Sequence, residues 1–117
     1  MTDANTTGTR KVPVALLEDV PEGTMKLVQV DGTDILVVNL DGLRAMQGIC
    51  SHEYFELDRG FLTGGSLTCA LHFSRFDLDT GEPLDPPAEL PLARYPVSVE
   101  DAWIVLELPL GPIPVNE

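Results

Sequence analysis

Residues 50–72 read CSHEYFELDRGFLTGGSLTCALH and hold both cysteines and both histidines of a 117-residue chain. The order is Cys50-x-His52, then Cys69-x-x-His72, with residues 53–68 between the two half-sites. Thiolate and imidazole bind transition metals well, and each half-site offers one of each. Two loops closing on one another would pair sulfur with sulfur and nitrogen with nitrogen, which suits two metals held by unlike ligand pairs. Such a site needs its loops raised on a rigid base.

That base is legible on either side of the ligands. Short apolar runs with β-branched content occupy 12–17, 25–30, 35–40, 44–49, 95–99 and 103–108, and each reads as a strand. Asp31-Gly32 and Asp41-Gly42 fall between runs, where glycine supplies the positive φ of tight turns, so two consecutive hairpins are expected. No helical apolar stripe exceeds about two turns, and ten Pro and ten Gly are scattered through the chain, so the class is all-β. Between 50 and 92 the texture changes. Turn residues cluster at Gly60, Gly64-Gly65, Thr80-Gly81 and 83–87, and the apolar runs shorten to 67–68 and 73–78. The pattern predicts antiparallel sheets carrying a loop-rich, ligand-binding subdomain at about 46–90, within one domain over 10–117 and behind a mobile tail over 1–9. Residues 109–117, PLGPIPVNE, are too rich in proline for a helix or a central strand and are expected to lie extended on the surface.

Charge narrows the partners. Lys and Arg number 7 against 19 Asp and Glu, a net charge of -12, which excludes an electrostatic footprint for nucleic acid or anionic lipid. Hydrophobic residues at 44% and a mean hydropathy of +0.08 still suffice for a core. The opening MTDANTTGTR has no apolar segment ahead of a cleavage site, and no run of about 18 apolar residues occurs anywhere, so neither a secretory signal nor a membrane span is expected. A cytoplasmic protein keeps its thiols reduced, and there Cys near His points to metal more than to a disulfide.

The stretch CSH...CALHFSRFDLDTGEP resembles the cluster-binding signature of Rieske proteins, and most of all the small Rieske-type ferredoxins of bacterial aromatic ring-hydroxylating oxygenase systems. The likeness covers nearly the whole chain: a β base before Cys50, two ligand loops, the F-D-x-x-T-G stretch from Phe76 to Gly81, a proline loop around Pro86-Pro87-Ala88, and closing strands. It implies the Rieske fold and one Rieske [2Fe–2S] cluster, with Cys50 and Cys69 on the inner iron and His52 and His72 on the outer, more exposed iron. Ser51 and Ala70 stand where many relatives have proline, which implies slightly less rigid loops. Respiratory members of the family add a cysteine to each loop; the matching neighbours here, around Glu56 and at Leu71, are not cysteine. Ser74 keeps a hydroxyl that the high-potential members offer to a cluster sulfur, whereas Phe76 replaces their tyrosine. One lost donor predicts a potential in the lower part of the roughly −150 to +300 mV Rieske span.

Both histidines are consumed by such a cluster, so a further iron on two histidines and a carboxylate cannot be built, and no nucleophile or acid–base set appears. The expected role is therefore an electron carrier, not an enzyme: a flavin-containing ferredoxin reductase passes one electron to it, and the His52/His72 edge passes it to a terminal oxygenase. Carbazole, biphenyl and naphthalene dioxygenase systems are the settings the resemblance suggests. A ferredoxin of a diiron aromatic monooxygenase, the small subunit of a nitrite reductase complex, and a Cys₂His₂ zinc module are the alternatives; zinc modules usually pair Cys with Cys and His with His, whereas this chain interleaves them. A monomer that docks transiently is expected. Eight acids between 53 and 89 (Glu53, Glu56, Asp58, Asp77, Asp79, Glu82, Asp85, Glu89) against Arg59 and Arg75 mark a docking face for a basic partner.

Other residues have simpler readings. Tyr54 and Phe55 either shield the cluster or pack their own loop. Gly64-Gly65 lets backbone amides approach the cluster, forms a hairpin turn, or does both. Trp103, Met25 and Met46 read as core. Asp19 and Glu22, around Pro21, read as a solvated turn.

Overall fold

Ile35, Leu36, Val37 and Val38 are consecutive and all fully buried, which a strand allows only when both of its faces are covered. They form the middle of β3 in the computed structural model, which describes residues 8–51, 53–71 and 73–117. The strands are β1 (Thr9–Leu16), β2 (Thr24–Val30), β3 (Thr33–Asn39), β4 (Leu43–Gln47), β5 (Phe61–Thr63), β6 (Ser66–Thr68), β7 (Arg75–Asp77), β8 (Arg94–Tyr95), β9 (Val97–Glu100) and β10 (Trp103–Pro109). Short 3-10 turns at Leu17–Asp19 and Leu57–Arg59 are the only helical elements among the described residues. Three antiparallel sheets result, ordered β1-β10-β9, β2-β3-β4-β8 and β5-β6-β7. The all-β class holds.

Alternation along β3 builds two cores. Ile35 and Val37 face the first sheet and pack with Ile104, Leu106 and Leu108. Leu36 and Val38 face the other way and pack with Met46, Leu57, Leu67, Phe76 and both cysteines. The second core cements the ligand-bearing insertion onto the β base, each half held by apolar area removed from water.

The turns follow the expected chemistry. Asp31 and Gly32 both hold positive φ, 51° and 81°, which joins β2 to β3 through a two-residue turn. Gly64-Gly65 is the hairpin turn between β5 and β6, the simpler of its two readings.

Several expectations need correction. The run 95–99 is not one strand: Tyr95 pairs with Ala45 in the second sheet, whereas Val97 pairs with Leu106 in the first. Pro96 sits at the corner, where its missing N–H breaks no ladder, and its carbonyl still accepts from Glu107 N–H at 3.0 Å. Trp103 is not core. It is 43% exposed, because the inward positions of β10 are Ile104, Leu106 and Leu108. Met46 is fully buried and Met25 packs partly buried against the second core. Strand pairing begins at Thr9, opposite Pro109, inside the segment expected to be tail; residues 1–7 lie outside the described residues. Among the described residues no helix is long and apolar enough to cross a membrane.

Candidate metal centre

Cys50 and Cys69 each open a loop of the same construction. Ile49 pairs with Glu56 across the first loop, and Thr68 pairs with Arg75 across the second. Inside them, Cys50 N–H donates to the Phe55 carbonyl at 2.9 Å, and Cys69 N–H donates to the Ser74 carbonyl at 2.9 Å. Both loops are thus closed by the same bond from the cysteine that opens them, and the second is tightened further by Phe73 N–H donating to the Cys69 carbonyl at 2.8 Å. The fourth residue after each cysteine is an exposed aromatic, Tyr54 at 78% and Phe73 at 64%. Phe55, by contrast, packs against the second core, so of this aromatic pair only Phe55 serves as loop packing.

Both thiols are nearly sealed, with Cys50 2% and Cys69 0% exposed. They share the second core with Leu57, Leu67 and Phe76. No disulfide joins them. His52 and His72 lie outside the described residues. Two buried soft donors outside any disulfide, each first in its loop, are half of the donor set that a Cys₂His₂ cluster requires.

Neighbouring elements fix the loops. A Cβ on Gly60 would stand 2.0 Å from the Thr68 carbonyl oxygen, so only glycine lets the chain leaving the first loop pass the residue ahead of Cys69. The segment 82–92, which contains a cis Pro86–Pro87 bond, touches both loops. Ser51 Oγ donates to the Leu90 carbonyl at 2.6 Å, a tie that a proline at this position could not make. Ala88 N–H donates to Ser74 Oγ at 3.4 Å. Arg75 binds Asp85 through Nε at 2.6 Å and Nη2 at 3.1 Å, and this hydrogen-bonded guanidinium holds the Asp85 carboxyl below its ordinary range. Asp77 Oδ1 accepts from Asp79 N–H at 2.8 Å and Thr80 N–H at 3.0 Å, which lowers its pKa and shapes the F-D-x-x-T-G turn. Phe76 is fully buried and offers no donor.

Gln47 is the site residue that sequence reasoning passed over. It is 2% exposed, and its amide contacts the residue preceding Cys50. The available signal was a lone amide closing the apolar strand 43–47, ahead of a candidate ligand.

A family profile described as Rieske [2Fe-2S] domain matches residues 10–96. The ferredoxin component of the naphthalene 1,2-dioxygenase/salicylate 5-hydroxylase systems of Ralstonia sp is 34% identical over 98 residues, which is 83% of this chain and 94% of the relative. Among solved structures, the ferredoxin of carbazole 1,9a-dioxygenase from Nocardioides aromaticivorans IC177 matches at a TM-score of 0.77 and 34% identity, covering 82% of this chain and 95% of that one. A ferredoxin solved in complex with the reduced oxygenase of carbazole 1,9a-dioxygenase matches at a TM-score of 0.77 and 26% identity, covering 82% and 91%.

Proposed function

The chain belongs to the Rieske [2Fe–2S] domain family, and on that premise we propose that Cys50, His52, Cys69 and His72 ligate its single cluster. It is an electron-transfer ferredoxin component, not itself an enzyme. The proposed route runs from a flavin-containing, NAD(P)H-dependent reductase to the terminal oxygenase of an aromatic ring-hydroxylating system, in the cytoplasm, with the carrier acting as a monomer that docks transiently. The observation that supports the ligand assignment is the pair of buried thiols outside any disulfide, each opening a loop closed by the same cysteine N–H hydrogen bond.

When bound, the cluster supplies a one-electron couple, and its imidazole ligands raise the potential above that of an all-cysteine cluster. The chain's own residues perform the rest. Leu57, Leu67 and Phe76 wall the thiols from water, Ser51 and Ser74 tie the loops to the segment 82–92, and Tyr54 and Phe73 offer an apolar contact surface that a partner can cover. Membership of the family does not identify the aromatic substrate, which a carrier never touches.

Two measurements test the reading. The purified chain should hold two irons and two acid-labile sulfides and bleach in the visible on reduction, whereas Cys50→Ser and Cys69→Ser should lose both elements. A colourless chain carrying one zinc would overturn the ligand assignment. Reconstitution with reductase and oxygenase pairs should give substrate-dependent NADH consumption that stops when the carrier is omitted.

A further inference from the structure

Gln47 is the largest buried polar side chain among the described residues, and every position of its amide is used. Nε2 donates to the Ile49 carbonyl at 2.9 Å and to the Asn116 carbonyl at 2.7 Å. Oε1 accepts from Ala93 N–H at 2.7 Å and from Asn116 N–H at 2.9 Å. One side chain therefore pairs with the backbone of Asn116 from both sides, as a neighbouring strand would. Further anchors hold the same segment: Asn116 Nδ2 donates to the Pro91 carbonyl at 2.8 Å, Tyr95 Oη donates to the Pro114 carbonyl at 2.6 Å, and Ile113 packs on the first core.

These anchors converge on the first ligand loop. Ile49 immediately precedes Cys50, and Pro91 follows Leu90, whose carbonyl accepts from Ser51 Oγ. Val115 and Asn116 also form one wall of a cleft of about 250 Å³ whose lining includes Cys50, Ile49 and Tyr54. Among the described residues the second loop is held instead by Ala88 N–H on Ser74 and by the Asp85–Arg75 pair.

We propose that residues 113–116, seated through Gln47, form a positioning strap that fixes the first ligand loop and keeps water from the Cys50 side of the cluster site. The proposal rests on the reading of Cys50 as a ligand. Its consequence is asymmetry: releasing the strap loosens the first loop and leaves the second unchanged. A buried amide whose four bonds are filled costs much to break, so the strap is held even though most of it lies on the surface.

The test compares the cluster-loaded full chain with a chain ending at Ile113 and with Tyr95→Phe, which keeps the ring and removes one anchor. Backbone hydrogen exchange read by mass spectrometry in peptides covering 47–56 and 68–78 should speed up on the order of tenfold in the first peptide of the shortened chain, and stay within about twofold in the second. Tyr95→Phe should show the same asymmetry at smaller size, and it carries the comparison if the shortened chain does not fold. The midpoint potential of the shortened chain should rise, because water reaching the site stabilises the more negative reduced state. Equal acceleration in both peptides would make the segment a general stabiliser and overturn the proposal, as would no change in either. Iron and sulfide content of the same full chain judges the ligand reading separately: a chain without them fails that reading, whereas a loaded chain with an indifferent strap fails only this one.

Discussion

Phe73 holds φ at 62°, in the left-handed region that disfavours a bulky side chain, and yet its ring is 64% exposed. Its N–H donates to the Cys69 carbonyl at 2.8 Å, so the turn that the second loop needs imposes the conformation. Packing offsets little of that strain, because most of the ring faces solvent; contact with a partner is what the ring can supply. A substitution can therefore separate fold from docking. Phe73→Gly relieves left-handed strain of about 1–2 kcal/mol against a backbone-entropy loss of roughly 0.5–1 kcal/mol, so the thermal midpoint should hold or rise slightly. Electron delivery to the oxygenase in stopped-flow should nevertheless slow several-fold. A variant that melts early, or one that delivers electrons at the parent rate, would remove Phe73 from the contact surface. Tyr54, at the equivalent position of the first loop, should behave alike in delivery.

At the scale of elements, the hairpin between β9 and β10 turns on Asp101 and Ala102, both with positive φ, 51° and 71°. Alanine pays for a conformation that glycine adopts freely, so Ala102→Gly should stabilise the protein by about 0.5–1 kcal/mol, read as a higher denaturant midpoint at unchanged slope. Without a glycine this turn carries no sequence signal, whereas Asp31-Gly32 and Asp41-Gly42 announced theirs. The same contrast runs through the fold. Long β-branched runs such as 25–30 and 35–40 were legible because each can be a strand only one way. The three residues of β5 have too little pattern, and the corner at Pro96 depends on which sheet each half of the run joins. Cys50 and Cys69 were legible by type and order, but the matching closure of their loops lives in backbone hydrogen bonds, and Gln47 shows its role only when Ala93 and Asn116 arrive from distant sequence. The clamp between β7 and the segment 82–92 makes a pH prediction. Asp77 and Asp85 titrate below the ordinary 3.8, Asp77 through backbone N–H donors and Asp85 through Arg75. Depressed carboxyls contribute stability above that ordinary value and lose it as pH falls through their lowered folded values. The thermal midpoint should accordingly fall below about pH 4, and Asp85→Asn should flatten that fall while lowering stability at neutral pH. A fall of unchanged steepness in the variant would show that the clamp is not what acid releases.

Across the whole molecule the charge of -12 is not spread evenly in its effect. Three of the eight acids between 53 and 89 are matched by arginine: Glu56 with Arg59 at 3.2 Å, Asp79 with Arg44 at 2.7 Å, and Asp85 with Arg75 at 2.6 Å. These pairs lie at or near the surface, so they add little stability, but they cancel charge locally. Asp58, Glu82 and Glu89 form no ion pair among the described residues. The acids of 53–89 thus give a negative field smaller than their count suggests, and Tyr54 and Phe73 add exposed apolar surface within the same stretch of chain. Such a combination attracts a basic partner from a distance and lets apolar contact set the final fit. The association rate with the proposed reductase should fall as salt rises from 10 mM to 300 mM, because the screening length shrinks from about 30 Å to below 8 Å over that range. The electron-transfer rate at saturating partner should change little. Glu82→Gln combined with Glu89→Gln should reduce the salt slope without altering the melting midpoint. A second-order rate independent of ionic strength would leave the acidic excess a solubility device and place recognition wholly on the apolar tip.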